Sequence, residues 1–300
     1  MIGRAIVPFL GLVPKGVVRS IAKRYVAGET LESALSVVQR LNQSQMWATL
    51  DVLGENTRFD EEADETLKAY MECLEAISKL GLKSNISIKL THFGLRVDQE
   101  KTRNRVLSLV EKAHELNNFV RIDMEDSSVT QLTLDIYRYV RERFANVGCV
   151  LQAYLKRTVE DAKILASEGA NVRICKGIYN EPKEIAYKKR DEIRNKYLEV
   201  AEVLLEGADT HVAFATHDLY LIERCVEIVK KKQISSDRFE FQALLGVPVE
   251  ETLKRLVQDG CKVRVYVPFG KEWYPYSVRR LKENPRIASY VIKHLFGFGV

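Results

Sequence analysis

The sequence predicts a (β/α)₈ barrel of the α/β class. Three observations carry that prediction. Eight short runs rich in apolar and β-branched residues alternate with amphipathic stretches of helical period along 300 residues. Strands joined by crossover helices form a parallel sheet covered on both faces, and eight such units close into a barrel. No GxGxxG follows the first strand, which argues against the open doubly wound sheet.

Residues 1–25, MIGRAIVPFLGLVPKGVVRSIAKRY, faintly mimic a signal peptide. Pro8 and Pro14 interrupt the apolar run, no small-residue cleavage site follows, and Lys15, Arg19, Lys23 and Arg24 come soon after. The run is too short to span a membrane. It reads as amphipathic helical packing or a weak surface-association element. Residues 29–47 read as a helix. The expected organisation is one catalytic domain, with residues 1–46 as an N-terminal helical segment and 47–300 as the barrel.

The expected strands are 47–53, 85–90, 118–124, 148–154, 171–177, 211–217, 239–246 and 261–267. Amphipathic helices fill the intervals, including one long helix from Glu181 to Ala208. Gly81, Gly169, Gly207 and Gly260 fall at or just past helix ends, where a left-handed cap favours glycine.

Composition narrows the function. The chain is 46% hydrophobic and 29% charged, which fits a soluble protein with a large core. The net charge of +5 is spread along the chain without an arginine-rich tail, so nucleic acid is not an expected partner. Cys73, Cys149, Cys175, Cys225 and Cys261 stand singly, which argues for a reducing compartment and against a zinc site. The histidines show no metal-ligand spacing, so no metal is expected.

In such a barrel the active site lies at the C-terminal ends of the strands. Polar residues gather there: Asp51, Gly54 and Glu55; Lys89, Thr91 and His92; Asp123 and Glu125; Gln152 and Tyr154; Arg173, Lys176, Gly177 and Tyr179; Thr216, His217 and Asp218; Gln242; and Tyr266. Burying them requires partners, so a polar ligand in the mouth is implied. Each residue has a plainer reading. Lys89 pairs with Asp123 as a structural ion pair, Arg173 does the same, His217 is a core histidine, Tyr266 fills the barrel, and Lys176-Gly177 is an ordinary turn. A helix beginning near Asn180 and Pro182 would present amide groups to a phosphate. The stretch RVYVPFGKEWYPYSVRRLKENP, 264–285, is β-rich, breaks at Pro268 and Gly270, and restarts as a helix carrying Arg279, Arg280 and Glu283. That helix lies over the barrel mouth, where guanidinium groups can take a carboxylate.

These segments resemble the monofunctional bacterial proline dehydrogenases. The resemblance rests on DVLGE (51–55), SIKLT (87–91), RIDMED (121–126), LQAYLKR (151–157), VRICKGIYNE (172–181), FATHD (214–218), FEFQALLG (239–246) and the 264–285 stretch, in the family's order. It implies a distorted (β/α)₈ barrel with extra N-terminal helices. It implies an FAD enzyme that oxidises L-proline to Δ1-pyrroline-5-carboxylate, the first step of proline catabolism to glutamate, and passes electrons to a quinone.

By motif match, Arg279 and Arg280 hold the proline carboxylate. Lys89, Asp123, Tyr179, Leu244, Tyr266 and Glu283 shape the proline pocket, and Lys89, Asp123 and Tyr266 join the two arginines as the catalytic set. Gln152, Arg173, Lys176, Gly177, Ile178, Thr216, His217 and Gln242 contact FAD, with Asp123 and Glu283 beside it. Arg173 near the flavin would stabilise its reduced anionic form. No side chain stands out as a general base, so amine deprotonation falls to solvent. Tyr266 crowds the ring carbon that bears the hydroxyl of 4-hydroxyproline, which favours proline. Cys175, Ile178, Asn180 and Asp218 depart from the family's usual residues and bear on the adenine-side contacts. The expected location is cytoplasmic, with peripheral contact at the inner face of the cell membrane. Two competing readings are a barrel lyase using Lys89 or Lys176 as a Schiff base, and a non-catalytic binding barrel.

Overall fold

A computed structural model describes residues 22–283, with side chains up to Val278. Most of the N-terminal apolar segment therefore lies outside the described residues. After a helical turn at 22–25, helix α1 spans Leu31–Gln43, capped by Thr30, whose side chain accepts from Ser33 N at 3.4 Å. Eight strands follow: β1 Trp47–Val52, β2 Ser84–Ile88, β3 Val120–Ile122, β4 Val147–Gln152, β5 Asn171–Cys175, β6 His211–Ala215, β7 Phe239–Leu244 and β8 Val263–Phe269. Between and after them lie α2 Asp60–Lys79, α3 Gln99–Glu115, α4 Thr130–Arg141, α5 Thr158–Ser167, α6 Arg190–Glu206, α7 Leu219–Lys231, α8 Glu250–Gln258 and α9 Trp273–Glu283.

The strands form a closed parallel barrel in sequence order, with β1 paired to both β2 and β8. Alternation along each strand sends one set of side chains outward and the other into the bore. Ile86 and Ile88, Val120 and Ile122, Val172 and Ile174, and Val263, Val265 and Val267 belong to the apolar core shared with the helices. Residues between them meet across the barrel. Arg173 on β5 reaches Asp123, just past the end of β3, and Ser87 on β2, contacts between elements that are not neighbours. Barrel bores are ordinarily packed with branched apolar residues. This one is polar.

Three expectations need correction. The stretch from 181 is not helical, and α6 begins at Arg190. Residues 182–189 are committed elsewhere: Lys156 N donates to Ile185 O at 2.9 Å and Tyr187 N to Tyr154 O at 2.8 Å, which buries Ala186 against Tyr154 and Leu155. Tertiary pairing overrides helix propensity there. A phosphate site at a helix start near Asn180 and Pro182 therefore does not exist.

Pro268 does not break β8. It lies inside the strand, opposite Asp51. Tyr266 O accepts from Leu245 N, so Pro268, two residues on, faces the same side, beyond the end of β7 at Leu244. Its missing N–H costs no ladder bond, and its carbonyl accepts from Ala27 N at 2.9 Å. The break falls at Gly270, with φ 127°.

Gly81, Gly169 and Gly260 take the expected left-handed form, but Gly207 does not: its φ is −67°. Space explains that glycine, because a Cβ would lie 2.6 Å from Ala166 O.

Candidate active site

The bore organises its polar residues in ranks. At the middle rank, Arg173 donates from Nη1 to Asp123 Oδ1 at 2.6 Å and to Ser87 Oγ at 3.3 Å, and from Nε to Gln242 Oε1 at 2.6 Å. Ser87 Oγ donates to the same Asp123 oxygen at 2.7 Å. Tyr266 OH donates to Asp123 Oδ2 at 2.8 Å, and the Arg173 guanidinium lies 5.4 Å from the Tyr266 ring centre. A guanidinium has five N–H donors. Three of those of Arg173 are taken, which leaves the Nη2 pair without a protein acceptor among the described residues.

At the upper rank, Lys89 Nζ donates to Asp51 Oδ1 at 2.7 Å and to Tyr266 OH at 3.4 Å. Lys89 therefore pairs with Asp51, and Asp123 pairs with Arg173, in place of the expected Lys89–Asp123 pair. The reason is height: Asp51 and Lys89 end adjacent strands, whereas Asp123 sits one rank lower beside Ser87. Tyr70 on α2 supports this corner by donating to Ser87 O at 2.8 Å and accepting from Val52 N at 3.1 Å.

Charge states follow from these contacts. Burial opposes the Lys89 ammonium, but the Asp51 and Asp123 charges beside it outweigh burial and raise its pKa above the usual lysine value. Burial likewise opposes the Asp123 carboxylate, and the Arg173 and Lys89 charges outweigh it, so its pKa is lowered. Burial raises the Tyr266 phenol well above its ordinary value, helped by Asp123 and Asp51. Lys89 and Tyr266 thus stay protonated at neutral pH. A Schiff-base lysine must offer a neutral amine, so the ion-paired Lys89 does not suit the lyase reading.

The rim over β4 to β7 carries most of the other expected residues. Gln152 Nε2 donates to Glu125 O at 2.7 Å, and Glu125 accepts from Thr91 N at 2.9 Å and from the Thr91 hydroxyl. Lys176 pairs with Asp218 at 3.3 Å. Thr216 Oγ1 accepts from Asp218 N at 3.1 Å, and His217 Nε2 accepts from Leu244 N at 3.1 Å. His217 is exposed, not a core histidine. Gly177 has φ 105°, and a Cβ there would lie 2.1 Å from the Tyr154 ring. Ile178 is exposed and Tyr179 half-buried in the loop after β5. Gln242 has both amide ends held, by Arg173 and by Glu240. Arg279, Arg280 and Glu283 lie on α9, directly after β8, and their side chains are outside the described residues.

Sequence reading placed Asp51 and Glu125 at the barrel mouth without naming their partners, and assigned no role to Ser87, Arg190, Arg194 or Glu240. The available signal was spacing: Ser87 lies two residues before Lys89, and Glu240 two before Gln242, each pair on one strand face. Asp218, taken as a departure near the cofactor, proves to be a charge hub. It binds Arg194 through both oxygens, at 2.7 and 2.9 Å, and lies 3.6 Å from Arg190.

Burial works against the Asp218 carboxylate, yet the bonds to Arg194 and the charge of Lys176 outweigh it and lower its pKa to about 2. A carboxylate with a depressed folded-state pKa stabilises the fold above its unfolded value of about 3.9. That contribution is lost as pH falls through about 2. Denaturant midpoints are therefore expected to fall between pH 4 and pH 2, about where the two pKa values lie, and Asp218→Asn is expected to flatten that fall. An unchanged slope in the variant would contradict the assignment.

A cavity of about 940 Å³ opens beside the network, between the segments that follow β1 and β8. Its lining includes Gly54, Lys89, His92, Phe269 and Tyr276, so Lys89 is shared between cavity and network. His92 is pushed down to about 4 by burial and by the Lys89 charge, which leaves it neutral at physiological pH.

Comparison with known proteins is consistent across sequence and structure. A family model described as proline dehydrogenase matches residues 34–293. Proline dehydrogenase 1 of Bacillus subtilis is 37% identical over 274 residues, which cover 91% of this chain and 89% of that protein. The proline dehydrogenase of Deinococcus radiodurans is 35% identical over 280 residues, with coverage of 91% and 89%. Among solved structures, proline utilization A from Bdellovibrio bacteriovorus inactivated by N-propargylglycine superposes with a TM-score of 0.83 at 29% identity. That match covers 89% of this chain and 33% of the other.

Proposed function

The chain belongs to the proline dehydrogenase family, and on that premise we propose how its barrel mouth works. The chain is an enzyme that oxidises proline, the first step of proline catabolism. The proposal adds the finer points: L-proline as substrate, Δ1-pyrroline-5-carboxylate as product, FAD as cofactor and a quinone as final acceptor. It takes the chain as one catalytic domain, with 1–46 an N-terminal segment and 47–300 the barrel. The observation that carries it is the continuous network Asp51–Lys89–Tyr266–Asp123–Arg173.

The residues present fit a flavin dinucleotide. Gly177 leaves room against Tyr154 that any side chain would fill. Lys176 and Arg190 supply cations near the same rim, and Ile178, Leu219 and Tyr220 are exposed apolar groups there. Gln152, Arg173, Lys176, Gly177, Ile178, Thr216, His217 and Gln242 would hold the group, with Asp123 and Glu283 beside it. When bound, a flavin would supply the acceptor for the electron pair and hydrogen removed from the ring carbon beside the proline nitrogen.

The chain's own residues then bind and orient. Arg173, fixed by Asp123, Ser87 and Gln242, keeps the Nη2 donors for a ligand. Tyr266 donates its hydroxyl hydrogen bond to Asp123, accepts one from Lys89, and sets its ring against the Arg173 guanidinium. Lys89, Tyr179, Leu244, Tyr266, Arg279, Arg280 and Glu283 enclose proline, with Arg279 and Arg280 on the carboxylate. Lys89 and Tyr266 are protonated, and Asp123 is committed to Arg173. None of the three serves as a base, so the substrate amine loses its proton to solvent before binding.

No described helix is long and apolar enough to cross a membrane. Delivery of electrons to a quinone favours a cytoplasmic protein in peripheral contact with the inner face of the cell membrane. The acceptor is tested by steady-state assay of the purified, flavin-loaded protein with proline. A soluble quinone is expected to support formation of the cyclic imine, whereas NAD is not. Turnover with NAD and none with quinone would reject the acceptor assignment.

A further inference from the structure

The catalytic rank does not stand alone in the bore. Below it, at the N-terminal end, Glu240 accepts from Arg264 Nε at 2.7 Å and Arg264 Nη2 at 3.1 Å, and lies 3.3 Å from Lys262. Arg264 is anchored in turn to Ala48 O at 2.8 Å and Asn85 Oδ1 at 3.0 Å. Glu240 and Gln242 are two residues apart on β7, so both project into the bore, while Phe239 and Phe241 join the outer core. Glu240 and Gln242 are both buried, and the Gln242 amide bridges the ranks: Nε2 donates to Glu240 and Oε1 accepts from Arg173 Nε at 2.6 Å.

From this bridge we infer that Glu240 is a positioning residue for proline oxidation, acting through the Gln242 amide on Arg173. The inference rests on the reaction proposed above. Its logic is donor and acceptor identity. An ionised carboxylate only accepts hydrogen bonds, and an amide has one donating and one accepting end. Glu240 therefore takes the Gln242 NH₂, and the carbonyl must face up to Arg173. With Nε held from below and Nη1 held by Asp123 and Ser87, the guanidinium plane has one setting, and its Nη2 donors one direction. Stability does not explain the arrangement, because buried ion pairs are commonly replaced by apolar residues without loss. Orientation of the ligand-facing arginine does.

Glu240→Gln tests the link, because a neutral amide at 240 offers Gln242 a donor or an acceptor and no longer fixes its direction. Gln242→Met is the second variant. It deletes the bridge and leaves the Glu240–Arg264–Lys262 cluster intact, so it decides the question if Glu240→Gln fails to fold. In protein labelled with ¹⁵N-arginine, the Arg173 Nε–H signal, identified by its absence in Arg173→Lys, is expected to move or split in both variants. In the flavin-loaded variants, kcat for proline is expected to fall roughly ten- to hundredfold, with KM within roughly twofold of the parent. An unmoved Arg173 signal with parental kcat would overturn the inference. So would a loss of kcat and KM together that merely tracks lost flavin and a lower melting temperature. A parent protein that fails to oxidise proline at all would instead reject the reaction, while the Arg173 signal would still report on the bridge.

Discussion

Replacing Arg173 with methionine is expected to abolish proline oxidation and to weaken the fold at the same time. Arg173 is where three parts of the bore converge: it bonds Asp123 just after β3, Ser87 on β2 and Gln242 on β7. Methionine preserves much of the volume and none of the donors. Asp123 then keeps only Ser87 and Tyr266 as donors in a buried setting. Breaking a buried pair by removing one partner costs about 3–5 kcal/mol. The loss carries a pH signature. With Arg173 present, Asp123 is held below its ordinary value, so its contribution to stability is present at neutral pH. Without Arg173, burial is opposed only by the Lys89 charge and the Ser87 and Tyr266 donors, so the folded-state pKa rises and the variant loses stability relative to the parent once the carboxyl must ionise. Denaturant midpoints of variant and parent are expected to diverge as pH rises above about 4, the unfolded carboxyl's value. Parental stability at neutral pH, or proline turnover within roughly tenfold of the parent, would contradict Arg173 as the hub.

The second large effect is expected on substrate binding. Changing Arg279 or Arg280 to methionine should raise the proline KM by about 30- to 1000-fold, corresponding to about 2–4 kcal/mol for a buried charge-assisted contact. The two residues are adjacent on α9 and so sit about 100° apart around the helix axis, which is why their contributions need not be equal. The helix starts at Trp273, immediately beyond the break at Gly270, which brings it to the end of the barrel where β8 delivers Tyr266. A KM that moves less than roughly threefold in both variants would remove the carboxylate assignment.

The barrel was legible because its signal is local. Each strand is a short run of largely apolar residues, most of them β-branched or aromatic, that ends near polar residues, and all eight occur where those runs lie. Two boundary errors came from long-range causes. Residues 182–189 have helical character in sequence, but their backbone pairs with the loop after β4. Pro268 looks like a strand breaker, yet its missing donor faces a side where β7 has already ended. Five of the expected residues come together, but their pairing was not legible. Lys89, Asp123, Arg173, Gln242 and Tyr266 do meet in one network. Which carboxylate meets which cation depends on height within a closed bore. That height follows from strand stagger, which a list of strand ends does not contain. The pairing of Asp51 with Lys89 and of Glu240 with Gln242 escaped notice for that reason, and the pairing of Asp218 did because its partner Arg194 lies on α6, the helix before β6.

We propose that the polar mouth binds proline beside a flavin, which oxidises it. The most direct measurement is the absorbance of the purified, FAD-loaded protein on anaerobic mixing with L-proline. The account predicts that the flavin absorbance bleaches on mixing with proline and that the colour returns on adding quinone. A fully loaded protein whose flavin stays oxidised in saturating proline would contradict it.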